Sequence, residues 1–189
     1  ELNRGFFSRL QRGRPWVRVK LAATLDGRTA PMDGTRLAIT GASAQRDGHR
    51  WRARASAILT GVDTIIADDP QLTVRIDVTH AAPLRVIADT RLRTPPTARL
   101  LHDAASRVLI VCGEAADGER RRVLESTGAE IIALPMSGAR IDLHALMSLL
   151  AQRQVNELHV EAGASLAGGL LRADLVDECV LYQAHRLRG

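Results

Sequence analysis

Aromatic residues make up only 3% of this 189-residue chain, and lysine occurs once, against 25 arginines. The scarcity of rings excludes a basic groove interleaved with stacking platforms, the usual means of holding single-stranded nucleic acid. The net charge of +5 and the pI near 10.4 are therefore read as a fit to anionic small molecules rather than to nucleic acid. There are two cysteines, and both Cys112 and Cys179 sit in apolar runs. The sequence thus predicts buried free thiols in a reducing cytoplasm, with no disulfide framework. No apolar run reaches membrane-spanning length. The opening ELNRGFFSRLQRGRPW has no apolar stretch leading to a small-residue cleavage site, so no signal peptide is expected.

Other absences remove whole chemistries. The sequence has no GK[ST] for a phosphate loop, no GxSxG for a hydrolase nucleophile and no HExxH. His159-Val160-Glu161 looks like the HxE of zinc deaminases, but that chemistry also needs a CxxC, which is missing, so no metal site is expected.

With 46% apolar residues the chain is long enough for one domain with a sizeable core. WVRVKLAAT (16–24) alternates like a strand and closes on the turn signal Asp26-Gly27. Further strands are predicted at 55–61, 84–89, 107–112, 129–135, 156–163 and 177–184. Helices are predicted at 41–55, where Gly48 is a weak point, at 119–127 ending at Gly128, and at 142–154. The last of these has Asp142 as N-cap, with Leu143, Leu146, Met147 and Leu150 on one face. A short helix or turn at VDTIIADD and a helix over ASLAGGLLRAD complete the pattern, and Pro95-Pro96 keeps 91–105 a loop. Strands alternating with helices predict an α/β fold with a mainly parallel central sheet and helices on both faces. Ligands of such sheets bind at the C-terminal ends of the strands.

Three features there carry chemistry. EAGASLAGG (161–169) leaves a strand and opens a helix: Gly163 permits a tight turn, Ser165 can cap the helix, and the free N–H groups form an anion site. Gly168-Gly169 can also serve close packing alone. The lone lysine, Lys20, supplies a compact ammonium that arginine cannot imitate; a chance survivor is the bland alternative. ADDPQLTVR (67–75) puts two acids, a rigid Pro70 and Arg75 at the exit of an apolar run.

Four stretches carry a resemblance that is colinear over most of the chain: LNRGFFSRLQRGRPWVRVKLAATLDGRTA (2–30), ARASAILTGVDTIIADDPQLTVR (53–75), LRVIADTRLRTP (84–95) and LHVEAGASLAGGLLRADLVDECVLY (158–182). Together they resemble the reductase domain of the bifunctional riboflavin-biosynthesis deaminase/reductase (RibD type). The resemblance implies a dihydrofolate-reductase-like fold. It also implies NADPH-dependent reduction of the ribosyl group of 5-amino-6-(5-phosphoribosylamino)uracil to ribityl, in a homodimer.

Carried over by position, Lys20 and Glu161 are the catalytic candidates. Arg36, Arg52, Leu72, Arg75 and Glu161 face the substrate, with Arg52 and Arg75 on its phosphate. Ala22, Ala38, Thr64, Asp68, Thr90 and the turn Gly163, Ala164, Ser165, Leu166, Ala167, Gly168 and Gly169 line the NADPH site. Asp69 shapes its loop, and arginines 120–122 are candidates for the cofactor 2′-phosphate or a solvated helix face. Two positions depart from the family pattern: Arg36 stands where it has serine, and Ala38 where it has tryptophan. They leave open an alternative, a nucleotide- or pyrimidine-binding paralogue with altered substrate or lost turnover. By the same resemblance residues 1–15 are a lead-in and 16–189 the reductase domain, with the deaminase domain absent and the last strands missing.

Overall fold

The computed structural model describes residues 3–29, 39–79, 81–104 and 106–187. Seven strands form one sheet: β1 (Trp16–Thr24), β2 (Ala57–Gly61), β3 (Leu84–Ala88), β4 (Val108–Gly113), β5 (Glu130–Leu134), then β8 (Glu157–Val160) and β9 (Glu178–Ala184). Their spatial order is β5-β4-β3-β2-β8-β1-β9, and every pairing in the sheet is parallel. The helices are α1 (Arg4–Arg12), α2 (Ala42–Arg54), α3 (Val62–Asp68), α4 (Gly118–Glu125), α5 (Leu143–Gln152) and α6 (Ala164–Arg172). The predicted elements and the α/β class are borne out. Two elements escaped prediction: a single 3-10 turn at Arg99–Leu101, inside the segment read as a loop and held by its buried leucines, and a hairpin of β6 (Met136–Ser137) and β7 (Arg140–Ile141), turned by Gly138 at φ 62°. Two-residue strands leave no periodicity to read.

Strand alternation divides the side chains between two faces. The centre of one face is apolar: Val17, Val19, Leu59, Val86, Leu158 and Val160 pack under Leu146, Met147, Leu150, Ala167 and Leu170 of α5 and α6. Each such side chain, removed from water, contributes about 1.5–3 kcal/mol before its entropy cost is set against it. Asp142 caps α5 as expected, accepting from the N–H groups of His144 at 2.7 Å and Ala145 at 3.2 Å. Gly169 lets α6 approach α5, since a Cβ there would lie 3.3 Å from the Leu143 side chain.

The opposite face is split. Over β3–β5 it is apolar apart from buried Arg85, with Ile87, Ile110 and Ile131 covered by Val62 and Ile65 of α3 and Leu124 of α4. Over β1, β8 and β9 it is polar. Register places Arg18 beside His159 and Glu178, and α2, which has no buried residue of its own, lies over them.

Two expectations are corrected. Cys112 is buried, but Cys179 is exposed, because β9 is the outermost strand and alternates between half-covered and open positions. Ser165 does not cap α6: the N-cap is Gly163, and no side chain closes the helix start.

Candidate functional site

The polar half-face is a layered network. Arg18, wholly buried, donates to Glu178 Oε2 and Glu157 Oε2, each at 3.0 Å. Its guanidinium lies 4.2 Å from the centroid of the Trp51 ring on α2. One turn earlier on α2, Asp47 Oδ2 accepts from Trp51 Nε1 at 3.2 Å and from the Tyr182 hydroxyl at 2.6 Å. Burial and the bond to Asp47 push the Tyr182 phenol far above its ordinary range, so it stays a donor. Lys20 lies on the same face, its Nζ 5.7 Å from the Tyr182 ring centroid. Lys20 makes no ion pair among the described residues.

Closer to the strand ends, Arg52 meets Glu161 in a two-pronged pair: Nε to Oε1 at 2.5 Å and Nη2 to Oε2 at 2.9 Å. The third nitrogen, Nη1, donates to the Thr73 carbonyl at 2.9 Å. His159 Nε2 lies 3.4 Å from Glu161 Oε1. Burial alone would raise the Glu161 carboxyl, but the bonds from Arg52 and His159 outweigh it and hold it well below the usual carboxylate range. Glu161 is therefore a fixed anion with both oxygens engaged.

The loop after α3 is tied at four points. Asp69 adopts φ 41° and accepts from the Arg99 N–H at 2.8 Å, the shaping role expected of it. The Gln71 carbonyl accepts from buried Arg85 at 3.3 Å. Thr73 is held by Arg52, and the Arg75 N–H donates to His49 Nδ1 at 3.2 Å. Leu72 is 3% exposed and sits at φ 53°, a left-handed conformation that costs about 1–2 kcal/mol for a non-glycine residue. Buried as it is, its part at the surface is loop shape rather than side-chain contact. The Arg75 side chain is exposed, its one bond among the described residues a 3.5 Å contact with Gln71. Arg52 and Arg75 hold His49 below its usual pKa, after the larger effect of its burial.

On the other side of the β8 end lies a cleft of about 720 Å³, bordered by Thr64, Asp89, Thr90, Gly163, Ser165, Leu166 and Gly169. Its size is that of a small-molecule or cofactor site. The first helical bond of α6 runs from the Ala167 N–H to the Gly163 carbonyl at 3.2 Å, so the N–H groups of residues 164–166 have no helical partner and face a negative ligand favourably. Gly163 has ordinary extended dihedrals, and a Cβ on it would meet no atom of the protein. The fold itself therefore does not demand glycine at this position. Asp89 Oδ2 accepts twice from Thr94 at 2.7 Å, while buried Oδ1 finds no donor. These features fit a dinucleotide.

The structure thus gathers Lys20, Arg52 and Glu161 on one side of β8, and Thr64, Thr90, Gly163, Ser165, Leu166 and Gly169 on the other. Ala22, paired with Tyr182, lies on the Lys20 side. Asp68, Ala164, Ala167 and Gly168 do not border the cleft; Ala167 is in the core and Gly168 faces Arg172. Arg36 and Ala38 lie outside the described residues. Arginines 120–122 also stand away from the cleft: Arg121 donates to Cys112 Sγ and the Ile131 carbonyl. Four other guanidiniums border it, Arg91, Arg93, Arg140 and Arg172, and nothing in their spacing marks them. Tyr182, Asp47 and His49 were missed for the same reason; the fact that Tyr182 is the sole tyrosine was the only available signal.

A family model described as the RibD C-terminal domain matches residues 15–189. The riboflavin biosynthesis protein RibD of Escherichia coli is 37% identical over the whole chain, which covers 53% of that protein. The 2,5-diamino-6-ribosylamino-4(3H)-pyrimidinone 5′-phosphate reductase of Archaeoglobus fulgidus is 36% identical, over 89% of this chain and 80% of its own. Among solved structures, Acinetobacter baumannii RibD superposes with a TM-score of 0.87 at 37% identity, over 100% of this chain and 51% of that one. The chain spans about half the length of the RibD proteins it matches.

Proposed function

The chain belongs to the RibD C-terminal domain family, whose reductases have a dihydrofolate-reductase-like fold, and from that premise we propose that it reduces the ribosyl group of 5-amino-6-(5-phosphoribosylamino)uracil to ribityl with NADPH. The observation that carries the reading is the division at the end of β8. Glu161 is bonded to Arg52 on the face of the sheet that also carries Lys20, and two residues on, Gly163 opens onto the cleft. A substrate and a dinucleotide bound on the two sides would meet there. NADPH, when bound, supplies the hydride.

The residues present do the rest. The N–H groups of 164–166 receive the dinucleotide pyrophosphate. The exposed guanidinium of Arg75 takes the substrate phosphate. Arg52, committed to Glu161 and Thr73, acts mainly as a strut that fixes the carboxylate. Glu161 accepts from substrate hydroxyls, and Lys20 holds or moves a proton at the sugar. NADPH is chosen over NADH by the arginines around the cleft, and not by arginines 120–122. Replacing Arg91, Arg93, Arg140 or Arg172 by alanine, one at a time, should in at least one case raise KM for NADPH about tenfold and leave that for NADH unchanged. The working form proposed is a cytoplasmic homodimer.

The test is NADPH oxidation by the purified protein with the phosphoribosylaminopyrimidine, alongside calorimetric titration of NADPH. Turnover that is lost in Lys20→Ala supports the proposal; absence of both binding and oxidation ends it. Binding without hydride transfer would favour the paralogue reading that Arg36 and Ala38 raise, and Ala38→Trp would then be the variant to examine.

A further inference from the structure

The ammonium of Lys20 has one described neighbour able to fix it, the face of Tyr182. The two residues project from adjacent strands, Lys20 opposite Val180 and Ala22 opposite Tyr182, so both stand on the polar half-face. The separation of 5.7 Å is within the range of a cation–π contact. The ring is itself anchored: its hydroxyl donates to Asp47 at 2.6 Å, Asp47 also receives Trp51, and Trp51 rests on the buried Arg18 guanidinium, which two glutamates hold. A continuous run of contacts therefore leads from the sheet, through α2, back to the lysine.

We propose that Tyr182 is a positioning residue for Lys20, its ring held in place by Asp47 on α2 so that the ammonium stays over the middle of β1, just past the end of β8, at the height the sugar requires. The proposal rests on the reductase reading for its kinetic consequence but not for its geometric content. A long, flexible lysine with no ion pair among the described residues would otherwise sample many rotamers. A ring face restricts it without neutralising its charge and without competing for its three donor hydrogens, all of which remain available to substrate.

The composition makes the test unusually direct. Lys20 is the only lysine, so the full chain grown on isotope-labelled lysine gives a single set of side-chain NMR signals. In the native protein the ε-methylene resonance is expected upfield of its free-chain value, from the ring current of Tyr182. It should return towards that value in Tyr182→Leu, and retain more of the displacement in Tyr182→Phe, which keeps the ring, than in Asp47→Ala, which removes the acceptor shared by Tyr182 and Trp51. An ε-methylene signal identical in native protein and in folded Tyr182→Leu overturns the proposal. Should the leucine variant fail to fold, Asp47→Ala decides: a Lys20 signal unmoved when the acceptor is gone shows that Asp47 does not anchor the ring, and overturns the proposal.

The kinetic arm uses the reductase assay. Tyr182→Leu should lower kcat about tenfold with KM for NADPH unchanged, and Tyr182→Phe should restore most of the loss. In the Lys20→Ala background Tyr182→Leu should cost little more; losses that simply multiply overturn the proposal. If the native protein shows no NADPH-dependent turnover, the functional reading fails, while the NMR result still decides the position of Lys20.

Discussion

At the scale of single residues the site is governed by one carboxylate. Glu161 has few water contacts, its side chain being 16% exposed, and two cationic or cation-capable neighbours, Arg52 and His159. Its folded pKa is depressed below the ordinary value of about 4.5 by the bonds from Arg52 and the nearby His159, which outweigh burial. A depressed carboxyl contributes stability that is fully present above the unfolded pKa and is lost as pH falls towards the folded one. The free energy of unfolding should therefore fall as pH drops below 4.5, and Glu161→Gln should flatten that slope. The same variant should be less stable at neutral pH by about 3 kcal/mol, because it leaves the Arg52 guanidinium without its counter-charge. Denaturant unfolding of both proteins across the acid range measures both effects. An unchanged acid slope would mean that Glu161 is not the group being protonated.

At the scale of elements, what was legible in the sequence was whatever depends on near neighbours. Alternation in WVRVK and the Asp142 cap both describe local physics, and both elements formed as expected. Alternation says nothing of how deeply the polar positions sit, and Arg18 is wholly buried. Its acid partners, Glu157 and Glu178, lie 139 and 160 positions away, a pairing no window of sequence contains. Arg52 and Glu161 were named through resemblance; that they bond to each other was not. The quoted loop 67–75 was legible in part, since Asp-Pro signals a turn, but two left-handed residues without glycine were not foreseen. Asp69→Asn should be nearly neutral, because asparagine tolerates that conformation and keeps an oxygen for the Arg99 N–H. Asp69→Ala loses both advantages and should cost about 1–3 kcal/mol in denaturant unfolding. The weak point noted in α2 is real but harmless: Gly48 sits inside the helix with open space where a Cβ would lie. Gly48→Ala should accordingly raise stability by about 0.5–1 kcal/mol, visible as a higher Tm.

At the scale of the whole molecule the sheet is unevenly covered. Its apolar face is closed by α5 and α6, and its other face by α2, α3 and α4, but β9, outermost on one side, leaves Leu181 56% exposed with Cys179 beside it on the open positions. The two cysteines thus report on opposite ends of the packing. Cys112 lies inside β4, wholly buried, where burial raises its thiol pKa and Arg121 only partly opposes the shift; it should resist thiol reagents until the chain unfolds. Cys179 should react at once in dilute native protein. A disulfide-exchange reagent should therefore titrate one thiol in the native state and two in denaturant. The proposed homodimer adds a condition: if a second copy covers the open side of β9, Cys179 should label more slowly as protein concentration rises, while Cys112 stays unreactive throughout. Rapid labelling of Cys179 at every concentration, in a sample that sedimentation shows to be dimeric, would place the dimer contact elsewhere on the molecule.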